Sequence, residues 1–376
     1  MEIDQLNIRE IIDSRTNSTV EGEINSELGK APSGASTGVH EAKCFVPENI
    51  EELEKKLQNN LEGKEFSQEE FDNRLRNIDN TDDFSEIGAA SISLSFAFKN
   101  SSGIDQSNQF PLPLSNIIGG GEHGGNTSIQ EFLVLPVEAE TFPKAIETNV
   151  SIYQEIKNEH EEKVEGINDE GALMTTMDDQ ETLKLLNKVA KKHGARIGLD
   201  IAASEFYEDG KYKMESMGLQ STPDEHLEFV QDLIDEHDLV YVEDPFDQED
   251  FEKHAELTDQ NPNILICGDD LFVTNKERLK TGIDQDSCNS LIVKPNQIGT
   301  VTDTRKTVNL AKEKDYVPVI SHRSGETTDH TISDLALEWE IPIIKAGIAD
   351  IRIAKLNPLL RYWDKQENPE INQNKF

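Results

Sequence analysis

Between Ile197 and Lys345 the chain repeats one unit, a short apolar run that closes on a charged side chain, followed by a polar stretch with helical spacing. The runs include Ile197–Gly198–Leu199–Asp200, Val240–Tyr241–Val242–Glu243, Leu265–Ile266–Cys267–Gly268–Asp269 and Leu291–Ile292–Val293–Lys294, with further strands near Pro318 and Ile343. Runs this short and this apolar, bounded by turn chemistry, read as strands buried on both faces, and such strands need helices packed around them. A strand at Phe132–Leu135 and helices over Phe142–His160 and Asp179–His193 extend the alternation toward the N-terminus. The pattern predicts a parallel α/β barrel, with an open doubly wound sheet as the alternative.

The first hundred residues read differently. Ile8–Ile24 carries strand-like residues after a polar turn at Asp13–Ser18, and helical spacing follows around Ile50–Leu61 and Ile87–Phe98, the second rich in Ala and Ser. Between the strand-like segment and the first helix, Ala31–Gly38 is a loop of small residues. The polar stretch Asn100–Gln109 then predicts two domains, a small N-terminal α+β unit over residues 1–108 and the barrel over residues 109–376.

Charge excludes several functions. Acidic residues number 74 against 36 basic ones, a formal charge of −38, which argues against nucleic acid and anionic membranes as partners. Runs such as Glu48–Glu54 and Asp247–Glu252 read as solvated faces whose repulsion salt would screen, so a salt-adapted protein is expected. Cys44, Cys267 and Cys288 fit neither a disulfide framework nor a CxxC metal site. With no signal-like start and no apolar run long enough to span a bilayer, a cytoplasmic location is expected. No GxGxxG opens a helix, and no Walker-type loop is present.

Taken singly, a carboxylate after a strand is a helix cap, and Lys294 before Pro295 is one half of a structural ion pair. Together they say more, because the C-terminal strand ends of a barrel converge on one face. Asp200, Glu243 and Asp269 would repel one another there unless a cation sat among them, and an all-oxygen set favours Mg²⁺. The next strands add Lys294, His322–Arg323–Ser324–Gly325 and Lys345. A metal, an amine base and an Arg/Ser anion site suit proton abstraction beside a carboxylate, where negative charge accumulates.

These residues also carry a resemblance that spans nearly the whole chain. Asp13–Ser14–Arg15, Ser33–Gly38, Gly120–His123, Gln130–Phe132, Asp169–Gly171, Leu199–Asp200 with Ala203–Phe206, Glu243–Pro245, Gly268–Leu271, Lys294–Thr300, Ser321–Glu326 and Lys345 occur in the order of the enolase family, which the sequence closely resembles. The resemblance implies a small capping domain on a variant α/β barrel and reversible dehydration of 2-phosphoglycerate to phosphoenolpyruvate in a homodimer. By it, Asp200, Glu243 and Asp269 hold the first of two Mg²⁺ ions, and Ser36 helps to hold the second, which arrives with substrate. Lys294 is the base, neutral when it acts, and Glu170 is the acid, kept protonated by the nearby Glu131. Arg323 and Ser324 bind phosphate, Lys345 neutralises the substrate carboxylate, and His123 and His322 line the site.

The sequence departs from the family pattern in several places. Thr16 and Ser18 replace a Gly and a Pro, and a segment after His40–Glu41–Ala42 is reduced. Gly119 stands where the family has Asn, and Ala172–Leu173–Met174 replaces a Gly-rich run after Glu170–Gly171. Asp350–Ile351–Arg352 is a contraction that loses the family's dimer partner of Arg9, whereas Glu21 and Arg361, another such pair, remain. The rival readings are a catalytically impaired paralogue that acts as a binding protein and a dehydratase of an acid sugar within the same superfamily.

Overall fold

A computed structural model describes residues 1–34, 40–103 and 105–372. In the first unit β1 (Leu6–Ile12), β2 (Ser18–Ile24) and β3 (Glu27–Lys30) form an antiparallel sheet in that order. Helix Ala90–Ser102 packs against β2 and β3, its Ala and Ser residues allowing a close approach. It begins a few residues later than the spacing predicts, because residues 85–89 form turns. Helix Ile50–Leu61 turns Leu53, Leu57 and Leu61 inward, and helix Gln68–Asp79 starts at a reciprocal Ser67–Glu70 capping box.

The remaining strands are β4 (Gln109–Phe110), β5 (Leu112–Gly119), β6 (Glu131–Leu135), β7 (Val164–Ile167), β8 (Leu173–Thr175), β9 (Arg196–Asp200), the small sheet of β10 (Tyr207–Glu208), β11 (Lys211–Met214) and β12 (Leu219–Ser221), then β13 (Tyr241–Glu243), β14 (Leu265–Gly268), β15 (Ser290–Val293), β16 (Val317–Ser321), β17 (Ile343–Lys345) and β18 (Glu370–Ile371). Eight of them, β5, β6, β9 and β13 to β17, close into a barrel, with β17 returning to pair with β5. Helices such as Phe142–Glu159 and Asp179–Lys192 surround it.

The barrel is not wholly parallel. β6 runs antiparallel to both β5 and β9, while the other barrel pairings are parallel. The reason lies in the β5–β6 connection, which holds only a 3₁₀ turn at Gly121–His123 and is too short for a helical crossover. Pro295 also does more than end a strand. Lys294 is extended, with φ −124° and ψ 101°, and Pro295 then opens the short helix Pro295–Ile298 at its favoured first position.

The first unit caps the C-terminal end of the barrel. Ser33 and Gly325 exchange backbone hydrogen bonds of 2.7 and 2.8 Å, and Ala42 N donates to Gln297 O at 2.7 Å. Arg76 pairs with Asp303 at 2.7 Å, and Asp72 accepts from Thr302 N at 2.9 Å. Among the described residues no helix is long and apolar enough to cross a membrane.

Candidate active site

Strand register places the charged residues. Glu131 lies level with Asp200 across β6 and β9, Asp200 level with Glu243 across β9 and β13, and Lys345 level with Ser321 across β16 and β17. At one rim of the barrel the start of the reversed β6 and the ends of β9 and β13 therefore set three carboxylates side by side. Lys345 reaches across the barrel mouth to meet all three, its Nζ lying 2.9 Å from Glu131, 2.8 Å from Asp200 and 2.7 Å from Glu243. Burial pushes the Lys345 ammonium down, but Asp200, Glu131 and Glu243 outweigh it and hold its pKa well above the ordinary lysine value.

The third expected ligand stands apart, with Lys294. Asp269 pairs with the Lys294 ammonium through one oxygen and accepts from Gln297 Nε2 at 2.9 Å through the other. Burial pushes Lys294 down, yet Asp269 opposite outweighs it and holds its pKa above the ordinary lysine value, whereas the base role expected from sequence needs the neutral amine. Asp244, strained at φ 40°, fixes the Asp269 turn by accepting from Asp269 N at 2.9 Å and Asp270 N at 2.7 Å.

The donor set fits a hard divalent cation. Glu243 is fully buried, and its Oε1 has no hydrogen-bond partner among the described residues, so this wall has carboxylate capacity that protein donors leave unused. Oxygen-only groupings also include Asp244, Asp269 and Asp270, whose ligand atoms lie within 4.8 Å of one another. Ser36 lies outside the described residues.

Facing this wall is the loop between β7 and β8, which carries Asp169 and Glu170. His123 Nδ1 lies 3.1 Å from Asp169, and its Nε2 lies 3.5 Å from Glu170. Burial opposes protonation of His123, but Glu170 and Asp169 override it and raise its pKa to about 9. Burial, opposed by Lys345 and reinforced by Glu170, pushes the Glu131 carboxyl up to about 8. Burial acts on Glu170 in the same direction, but the His123 charge, with Arg352 adding, outweighs it and keeps its carboxyl below the ordinary range. The cations around Glu170 favour its charged form, while burial favours the protonated form of Glu131, and Glu170 and Asp169 favour the protonated form of His123.

At the end expected to take an anion, Arg323 is buried and grips Glu41, with Nη1 to Oε2 at 2.9 Å and Nη2 to Oε1 at 3.4 Å. Its own N–H donates to Glu326 at 3.0 Å, and Lys355 pairs with Glu326 beneath it. His322 is buried with Nδ1 unpartnered among the described residues, and burial lowers its pKa well below the usual histidine value. One pocket is lined by Glu131, Glu170, Lys294, Arg323, Ser324 and Lys345, together with His123, His322, Asp200 and Asp269.

Two further contributors carried no assigned role in the sequence. Arg352, fully buried, donates to Asp169 O at 2.7 Å and to Ser324 O, tying the Glu170 loop to the Arg323 loop. Asp244 sat within a recognised motif, but its work is a contact to the next strand end, and nothing local announces that.

A sequence model described as the N-terminal domain of enolase matches residues 3–112, and one described as the enolase C-terminal TIM barrel domain matches residues 107–371. The chain belongs to the enolase family. It is 43% identical to an enolase of Methanosphaera stadtmanae over 98% of each chain. It is 42% identical to an enolase of Natronomonas pharaonis, over 96% of this chain and 98% of the other. An enolase of Archaeoglobus fulgidus is 38% identical over 99% of each. The variant barrel with its antiparallel second strand is therefore the enolase barrel, and the first unit is the enolase N-terminal domain.

Proposed function

We propose the following roles for a chain whose family membership makes it a hydro-lyase, one that reversibly dehydrates 2-phosphoglycerate to phosphoenolpyruvate. The observation that carries them is a single pocket with Lys294 and Asp269 on one wall, Glu170 and His123 on another, and Arg323 and Ser324 at its end. Lys294 removes the C2 proton, and Glu170 faces the departing C3 hydroxyl, with the proton it delivers supplied within the Glu131, Glu170 and His123 cluster. Arg323 and Ser324 hold the phosphate, which takes the place Glu41 holds on the guanidinium. Lys345 neutralises the substrate carboxylate, and His322 lines the site.

Asp200, Glu243 and Asp269 would hold one Mg²⁺, and a second would come with substrate, held in part by Ser36. A divalent ion held there would supply positive charge next to the substrate carboxylate, where negative charge gathers. Lys294, paired here with Asp269, acts as the base from its neutral form.

We place the domain boundary at 108/109 and the protein in the cytoplasm. A homodimer is supported by Glu21 and Arg361, although Glu21 already meets Arg9 at 2.6 Å and Lys30 at 3.5 Å within the chain. The formal charge of −38 supports adaptation to high salt. The test is to mix the purified chain with 2-phosphoglycerate and Mg²⁺ in dilute and in molar potassium chloride and to follow phosphoenolpyruvate by ultraviolet absorbance. Turnover that rises with salt supports both readings. A folded protein inactive in both buffers would leave the impaired paralogue.

A further inference from the structure

Gly119, where the sequence departs from its family, lies directly against the loop that carries Glu170. A Cβ built there would stand 2.2 Å from Asn168 Nδ2 and 3.4 Å from Ala172 Cβ, so position 119 has no room for a side chain while Asn168 keeps its place. The other end of the same amide organises the loop. Asn168 Oδ1 accepts from Glu170 N at 3.0 Å and from Ala172 N at 2.9 Å, bracketing the acid on both sides. The main chain closes the same ring, with Asn168 N donating to Ala172 O at 2.9 Å and Gly171 N to Asn168 O at 3.1 Å.

The amide's orientation follows from these donors. Turning it over would set its NH₂ against two N–H groups, so Oδ1 must face the loop and Nδ2 must face Gly119, where it is buried without a hydrogen-bond partner among the described residues. From the outer side Tyr153 OH donates to Gly171 O at 3.1 Å, and Arg352 donates to Asp169 O at 2.7 Å. Gly171, at φ +80°, completes a turn in which side chains fix the peptide plane before Glu170 and the one after Gly171, and the backbone bond from Gly171 N to Asn168 O holds the plane between them.

We propose that Asn168 is a positioning residue for Glu170 and that the missing side chain at Gly119 is the space Asn168 requires. The two positions act as a matched pair that seats the acid loop in this chain. The proposal rests on Glu170 being the acid-side group. Without the Asn168 amide, the N–H groups of Glu170 and Ala172 lose their acceptor and the carboxylate loses its fixed approach to the C3 hydroxyl, while Lys294 on the far wall is untouched.

The full chain with Mg²⁺ and 2-phosphoglycerate in deuterium oxide separates the two halves of the reaction. Exchange of the C2 proton, followed by nuclear magnetic resonance, reports Lys294, and phosphoenolpyruvate absorbance reports elimination. Asn168→Ala should lower kcat about 10²-fold, the scale of a misplacement of about 1 Å, with KM little changed and C2 exchange retained. Asn168→Asp, which keeps the acceptor, should retain most of the turnover. Gly119→Ala should impair elimination beside Asn168 but add no further loss in the Asn168→Ala background. Should Asn168→Ala fail to fold, Gly119→Ala carries the same expectation for the exchange-to-elimination ratio. A folded Asn168→Ala that eliminates at the wild-type rate beside an inactive Glu170→Gln overturns the positioning role alone, as does a parallel fall of exchange and elimination. Wild-type turnover in Glu170→Gln removes the acid assignment, and the proposal falls with it.

Discussion

Lys345→Ala tests the electrostatic design of the site. In the wild type one buried ammonium lies 2.7–2.9 Å from three buried carboxylates, those of Glu131, Asp200 and Glu243. Removing one member of a buried ion pair costs about 3–5 kcal/mol, because the partner charge is left uncompensated in a poorly polarisable interior. Here the loss is limited by proton uptake, since burial, with Lys345 opposing and Glu170 adding, already pushes Glu131 up to about 8. Burial and the charge of Asp200 raise Glu243 as well. For 376 residues the unfolding entropy is about 0.8 kcal/mol per kelvin, so the expected fall in Tm is about 4–6 °C in chelator-containing buffer. Mg²⁺ should then stabilise the variant more than the wild type, because the carboxylates no longer have a resident cation to share. Calorimetry or near-ultraviolet circular dichroism, with chelator and with millimolar Mg²⁺, reads both effects. An unchanged Tm in chelator, or a larger Mg²⁺ effect on the wild type, would refute the reasoning.

Lys294→Ala should abolish C2 proton exchange and lower turnover by about 10²–10⁴-fold while Mg²⁺ still raises the Tm, and retained exchange would remove Lys294 as the base. Arg352→Met takes the donor from Asp169 O and one donor from Ser324 O, which keeps Ser14 Oγ at 3.4 Å, and should destabilise by about 1–3 kcal/mol, measured by urea unfolding. Burial lowers His226 and His254 to about 4, with backbone acceptors at Pro245 and Asp250 opposing. Both are neutral in the folded state, so their contribution is complete above pH ~6.5 and is lost as pH falls toward 4, about 3 kcal/mol each. His254→Gln should flatten the slope of Tm against pH in that window, and an unchanged slope counts against the neutral buried ring.

Much of the fold was legible because its signals are local. The runs ending at Asp200, Glu243 and Lys294 are short and apolar, and β9, β13 and β15 appear where they predict, as do the helices from Phe142 and Asp179. The reversed β6 was not legible, since a strand buried on both faces carries no alternation to reveal its direction. The hairpin of β7 and β8 escaped for a related reason, being short, half-exposed and irregular in register.

In the site, residue identities came from motifs, but pairings came from contacts between distant segments. Arg323 meets Glu41 from across the domain seam, and Lys345 meets Asp200 from the far side of the barrel. From sequence, a second carboxylate nearby favours a proton on Glu170. In the folded chain His123 and Arg352 lower the Glu170 pKa against burial, while burial raises that of Glu131, a balance that only contacts between distant segments set.

By itself the sequence determined the alternation of strands and helices, the acidic surface and the charged residues at each strand end, all properties of neighbouring residues. Only the tertiary structure decided which charges face each other. It paired Lys345 with three carboxylates, Lys294 with Asp269, and Asn168 with the empty side of Gly119. Electrostatic and packing energies at a few ångströms depend on distances that barrel closure and domain capping set, and no local pattern encodes those distances.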